Sequence, residues 1–229
     1  MNDIKIMCAE QDNKRRTGLT LLLFQVALVL LTQFARAGYA EQHTLLILGD
    51  SLTAGYGVLR EEGYASRLEA IARGEGSALK VLNGGLSGDT SAGGVRRIEQ
   101  WLVEDFDIFM VALGGNDALR GLSPDALRVN LRAILEHVRR VKPKVHLVVA
   151  GMRAPPNMGE EYEAAFEGVY REVAREFNAV LIPFLLEGVA AEPSLNQADG
   201  IHPNGEGHAA IARHVWESVR SIVHPTRSE

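Results

Sequence analysis

Serine, histidine and aspartate together make a nucleophile out of a weak hydroxyl, and this chain carries them in two separated turn-like segments. Gly49-Asp50-Ser51-Leu52 follows the apolar run Thr44-Leu45-Leu46-Ile47-Leu48, so Ser51 leaves the carboxyl end of an expected strand. Asp199-Gly200-Ile201-His202-Pro203-Asn204 stands near the far end of the chain. The spacing of Asp199 and His202 lets one short loop hold a carboxylate near Nδ1 while Nε2 faces Ser51. Pro203 biases His202 away from helical backbone. Each segment alone has a plainer reading: Ser51 as a helix N-cap or turn residue, Asp199 as a turn cap with His202 on the surface. The pairing favours the catalytic one. His43, His137, His146, His208, His214 and His224 have no comparable acidic partner on a strand-end loop.

Acyl transfer through Ser51 also needs donors for the developing oxyanion, and losing one typically costs ~10²–10³ in rate. Asn116, after Gly114-Gly115, offers a side-chain NH₂. Gly88, in Leu86-Ser87-Gly88-Asp89, offers a backbone N–H with no β-carbon to block approach. The Ser51 N–H is a third candidate. Both glycine segments are also ordinary strand-to-helix turns, in which Asn116 would cap the next segment.

Positioning these groups requires a scaffold, and the apolar pattern describes one. Strands are expected at Leu45–Gly49, Leu79–Asn83, Ile108–Leu113, Val145–Ala150 and Val180–Pro183. Helical periodicity falls between them, near Gly63–Arg73, Ser91–Glu104, Ser123–Val141 and Glu160–Phe177, and a last helix spans about Asn204–Val223. Ser123-Pro124 reads as an N-cap with proline in the first helical position. Alternating continuous apolar strands with helices predicts a parallel sheet covered on both faces. Ligands of such sheets sit beyond the carboxyl ends of the strands, where the candidate residues gather.

Residues 1–40 differ from the rest. Lys14-Arg15-Arg16 precedes the largely apolar Leu19–Leu31, and small residues follow at Ala35-Arg36-Ala37 and Gly38-Tyr39-Ala40. This predicts a cleavable secretory signal, cut after Ala37 or Ala40. The apolar run is short of the roughly 20 residues of a membrane span, which disfavours an uncleaved anchor. Residues 41–229 are then one domain in the periplasm or outside the cell. Cys8, the only cysteine, lies in the leader, so that domain has no disulfide. A net charge of −5 argues against a nucleic-acid partner.

Four ordered blocks carry a resemblance: Leu46–Gly57 around Ser51, Asn83–Ser91 around Gly88, Leu113–Gly121 around Asn116, and Asp199–Asn204. The chain resembles the GDSL or SGNH hydrolases, and within them the branch of periplasmic multifunctional esterases with thioesterase, lysophospholipase and arylesterase members. The resemblance implies a flavodoxin-like three-layer α/β/α sandwich around a five-stranded parallel sheet, with no metal or cofactor. It places the nucleophile on Ser51, the oxyanion donors on Ser51, Gly88 and Asn116, and the acid and base on Asp199 and His202. Met152–Gly159 is similar to the mobile loop that covers the acyl site in this branch. Leu119, Met152, Pro155, Pro156 and Met158 would then line an apolar trough, or belong in part to the core. The expected function is that of an exported serine esterase, acting on aryl or acyl esters and on thioesters or lysophospholipids, as a monomer with transient lipid contact. Two alternatives stand beside it. One is a metal-dependent phosphoesterase using Asp50, Asn116, Asp199 and His202; the other is a catalytically inactive domain that binds acyl chains or glycans.

Overall fold

The computed structural model describes residues 42–224; the expected signal segment lies outside them. Five strands, β1 (His43–Gly49), β2 (Leu79–Gly85), β3 (Ile108–Ala112), β4 (His146–Ala150) and β5 (Val180–Ile182), form one parallel sheet in the order β2-β1-β3-β4-β5. The sequence-expected strands recur with ends shifted by one or two residues. Their burial follows their place in the sheet. Leu45, Leu46, Ile47 and Leu48 of β1 and every residue of β3 are buried, as continuous apolar runs require in a sheet covered on both faces. The edge strands β2 and β5 are only partly covered.

The longer helices are α2 (Tyr64–Gly74), α3 (Ser91–Trp101), α5 (Pro124–Val141), α6 (Glu160–Glu176) and α7 (Gly205–Val223). Helices α2 and α7 pack on each other, while α5 packs against both α3 and α6, giving an α/β/α arrangement. Leu127, Leu131, Ile134, Leu135 and Val138 put the buried stripe of α5 at helical spacing. Its start matches the sequence signal: Ser123 accepts a hydrogen bond from Asp125 N–H at 3.2 Å, with proline in the first turn. Asn204 caps α7 in the same way, accepting from Glu206 and Gly207 N–H.

Two short helices were not expected. α1 (Ser51–Ala54) starts directly after β1, and α4 (Gly115–Leu119) directly after β3. Both are too short for periodicity to reveal. The turn into α4 needs Gly114, whose φ of 121° is closed to side chains and where a β-carbon would stand 2.0 Å from Tyr170 Oη. β1 and β3 are neighbours, and the chain winds outward from them in opposite directions, so α1 and α4 flank the switch point of the sheet.

A buried polar cluster locks α4 to α3 and α5. Asp117 accepts from Ser91 N–H at 2.9 Å and from the Ser91 hydroxyl, which in turn accepts from Asn130 Nδ2 at 2.9 Å. Asp117 and Ser91 are both inaccessible to solvent, so removing the carboxylate leaves two donors without partners. Asp117→Ala should therefore lower stability by roughly 2–4 kcal/mol, and Asp117→Asn, which keeps one acceptor, by less. Urea unfolding checks this; a change under about 0.5 kcal/mol for the alanine variant would contradict the role.

Candidate active site

The β1–α1 junction leaves no slack around Ser51. Asp50 is the N-cap of α1, its Oδ1 accepting from Leu52 N–H at 3.0 Å, and Ser51 is the first helical residue. Its N–H therefore has no partner within the helix. Across the cleft, the Asp199–His202 turn presents the imidazole to this hydroxyl. His202 Nε2 lies 3.0 Å from Ser51 Oγ, and His202 Nδ1 lies 2.7 Å from Asp199 Oδ2. The second oxygen of Asp199 accepts from Ile201 N–H at 2.9 Å and from His202 N–H at 3.0 Å. These bonds, with that from His202 Nδ1, hold the Asp199 carboxyl down at about 2, so it is ionised wherever the histidine can act as a base.

The His202 turn is tied to the Ser51 side by contacts that no spacing revealed. Gln197 Nε2 donates to Tyr56 O at 2.7 Å and to Pro203 O at 2.9 Å, and Gln197 N–H donates to His202 O at 2.7 Å. The Tyr56 ring lies 4.6 Å from the imidazole, centroid to centroid. One side chain thus joins the loop after α1 to the loop that carries His202. Gln197 is two residues outside the Asp199–Asn204 block and Tyr56 sits in a glycine-rich stretch, so neither carries a chemical signature in sequence.

Asp50 is the other residue whose place had to be seen. It is only 2 % exposed, and its Oδ2 is 3.4 Å from Asn116 Nδ2. Burial pushes its pKa up to about 6, against the pull of the Leu52 N–H and the nearby His202. Asp50 and Asp199 thus shift in opposite directions: one has lost water, and the other has gained donors.

Ser51, Gly88, Asn116 and His202 open onto one cavity of about 620 Å³. Gly88 reaches it through backbone at φ 80°, which a side chain would strain. Leu119, Met152, Pro155 and Pro156 line the wall, joined by Phe184 and Leu186 from the segment after β5, which the sequence reading had not included. Met158, expected among the trough residues, is not on this wall. A 3-10 turn at Pro156–Met158 carries it toward Gly121, where its methyl is 3.4 Å from the position a β-carbon would take. Among the described residues no three His, Cys, Asp or Glu side chains are grouped to hold a metal ion.

Such a row of hydroxyl, imidazole and carboxylate at the carboxyl edge of a doubly wound parallel sheet is the arrangement of an SGNH-type hydrolase. The chain belongs to the GDSL-like lipase/acylhydrolase family, which it matches over residues 47–210. It is 39% identical over 199 residues to esterase TesA of Pseudomonas aeruginosa, covering 86% of this chain and 96% of that one. It is 38% identical over 197 residues to thioesterase 1/protease 1/lysophospholipase L1 of Escherichia coli K12, covering 86% of this chain and 90% of that one. Among solved structures, AlinE4, an SGNH-hydrolase family esterase, superposes with a TM-score of 0.67 at 39% identity, covering 84% of this chain and all of that one.

The raised pKa of Asp50 makes a pH prediction with a definite sign. A buried acid with a folded-state pKa above its unfolded 3.8 favours folding while protonated, and that contribution is lost as pH rises toward and through about 6. The rise corresponds to a cost on the order of 3 kcal/mol for holding the ionised form in place. Asp50→Asn should therefore gain stability relative to the parent chain between pH 4 and pH 7.5, by up to that amount. Urea unfolding of both proteins at the two pH values measures the gap, and a gap that does not change with pH would refute the burial argument.

Proposed function

We propose that this chain is an exported serine esterase working through an acyl-enzyme, with Ser51 as nucleophile, His202 as base and Asp199 as its orienting acid. The observation that carries the reading is the unbroken path from Ser51 Oγ through His202 to Asp199 Oδ2, opening into a largely apolar cavity. His202 takes the Ser51 proton as the hydroxyl attacks the acyl carbonyl. Ser51 N–H, Gly88 N–H and the Asn116 NH₂ receive the oxyanion, with Asp50 Oδ2 on the far side of the amide helping to aim it. The imidazolium, stabilised by Asp199, then protonates the departing alcohol or thiol. In the second half His202 activates water against the Ser51 ester.

The cavity wall supports substrates with an acyl chain. Leu119, Met152, Pro155, Pro156, Phe184 and Leu186 line it, a lining suited to methylene groups. Tyr56, Leu86, Leu119 and Ile201 are each about half exposed beside the catalytic groups, which fits brief contact with lipid or detergent aggregates. Carboxylic esters, thioesters and lysophospholipids all present a carbonyl that this site accommodates, matching the activities in the relatives' names. No described helix is long and apolar enough to cross a membrane. The signal-like residues 1–40 support export of the domain that follows.

A chain-length series of p-nitrophenyl esters, with acyl-CoA and lysophospholipid arms, tests the substrate class. Ser51→Ala should abolish hydrolysis of every member while leaving the circular dichroism spectrum unchanged; turnover by that variant would end the assignment. Asn116→Ala should lower kcat by ~10²–10³ with a smaller effect on KM. Hydrolysis should also persist in EDTA, and a loss there would favour metal-assisted chemistry instead.

A further inference from the structure

Arg97 is a buried cation outside every block that drew attention in the sequence, and it touches the segments that hold the site. Its side chain is 12% exposed. Nε donates to Asp89 Oδ2 at 2.5 Å, Nη1 to Gly84 O at 2.6 Å and Nη2 to Gly49 O at 2.7 Å. Gly49 O belongs to the peptide that enters Asp50, one residue short of Ser51, and also accepts from Leu86 N–H at 3.0 Å. Gly84 O lies at the end of β2, and Asp89 directly follows Gly88. One planar group therefore spans the turn that carries the nucleophile and the turn that carries an oxyanion donor.

We propose that Arg97 is a positioning residue for ester hydrolysis, its guanidinium fixing the separation between the Ser51 turn and the Gly88 turn by holding Gly49 O, Gly84 O and Asp89 at once. The inference rests on the reading of Ser51 as nucleophile. The surrounding sequence is shaped for the clamp. Asp89 is buried, with its other oxygen accepting from Thr90 N–H at 3.1 Å. A β-carbon at Gly93 would stand 1.6 Å from that oxygen, so the glycine keeps the space open. Arg97 follows Gly93 by four residues on α3, which puts both on the same helix face. A guanidinium is needed because its donors diverge in one plane and reach three acceptors; an ammonium is a point charge and cannot match them together. Where β1 and β2 end their ladder at the Gly49–Gly85 pair, the clamp continues the constraint into the loops.

A clamp that only stabilised the fold would change how many molecules are folded, and a positioning clamp changes the rate of each folded molecule. Arg97→Lys, Arg97→Gln and Arg97→Ala should be compared with the parent chain on p-nitrophenyl butyrate, counting competent sites by complete titration with a fluorophosphonate. Expected is a fall in kcat per titrated site of about 10–100-fold, with KM within about threefold, since a displacement near 1 Å costs on the order of 10² in rate. Lysine should sit between arginine and glutamine. Millimolar guanidinium, far below denaturing levels, should restore part of the kcat of Arg97→Ala and none of that of Arg97→Gln, whose side chain fills the space. A kcat per titrated site within twofold of the parent in all three variants would overturn the proposal, as would losses confined to the number of titratable sites. If the Arg97 variants do not fold, Asp89→Asn decides: it keeps the guanidinium and both carbonyl bonds, and a kcat per site unchanged there overturns the proposal, while a fall of about threefold or more upholds it. Ser51→Ala run beside these separates the two readings, because residual turnover in it would remove the nucleophile assignment whatever the Arg97 variants do.

Discussion

The site depends first on β1 lying between β2 and β3 in parallel register. Gly49 pairs with Gly85 on one side and with Ala112 on the other, so three strand ends reach the same edge together. Every group of the proposed chemistry except the Asp199–His202 pair departs from one of those three ends. The register is held by a run of four fully buried aliphatic residues, Leu45 to Leu48, and slipping it by one residue would reverse which face each side chain meets. The distances among Ser51, Gly88 and Asn116 are thus a property of the core before they are a property of the loops.

On that edge, the two carboxylates nearest the chemistry are treated oppositely. Asp199 stands at the surface and accepts three hydrogen bonds, so its charge is retained at all ordinary pH. Asp50 is enclosed, with the Leu52 N–H and the Asn116 amide within reach, and burial raises its pKa to about 6. An ionised acid beside the base stabilises the imidazolium through both half-reactions.

Sequence reading reached the scaffold because its signals are long. Continuous apolar strands, the helical stripe of α5 and the Ser123-Pro124 cap each span enough residues for pattern to speak. It reached Ser51, Gly88, Asn116, Asp199 and His202 because each lies in a short block of unusual composition. It did not reach α1 or α4, which are shorter than two helical turns. The resemblance of its loop to an acyl-site cover put Met158 in the trough, whereas a 3-10 turn at Pro156–Met158 brings its methyl to 3.4 Å from the β-carbon position of Gly121. Gln197, Tyr56 and Arg97 were silent for a related reason. Their partners are main-chain carbonyls, rings and amides from distant segments, and a backbone carbonyl leaves no trace in a sequence.

The acid and the base arrive on one turn. Asp199 binds the main chain of the very residue whose ring it orients, and Gln197 closes the same turn from behind. Acid and base cannot drift apart without unfolding that turn, so their alignment survives any displacement of the loop as a whole. What remains free is a single separation, between Ser51 Oγ and His202 Nε2. A shift of the whole turn would therefore act on one coordinate, opening the hydroxyl–imidazole contact while leaving the carboxylate–imidazole pair assembled.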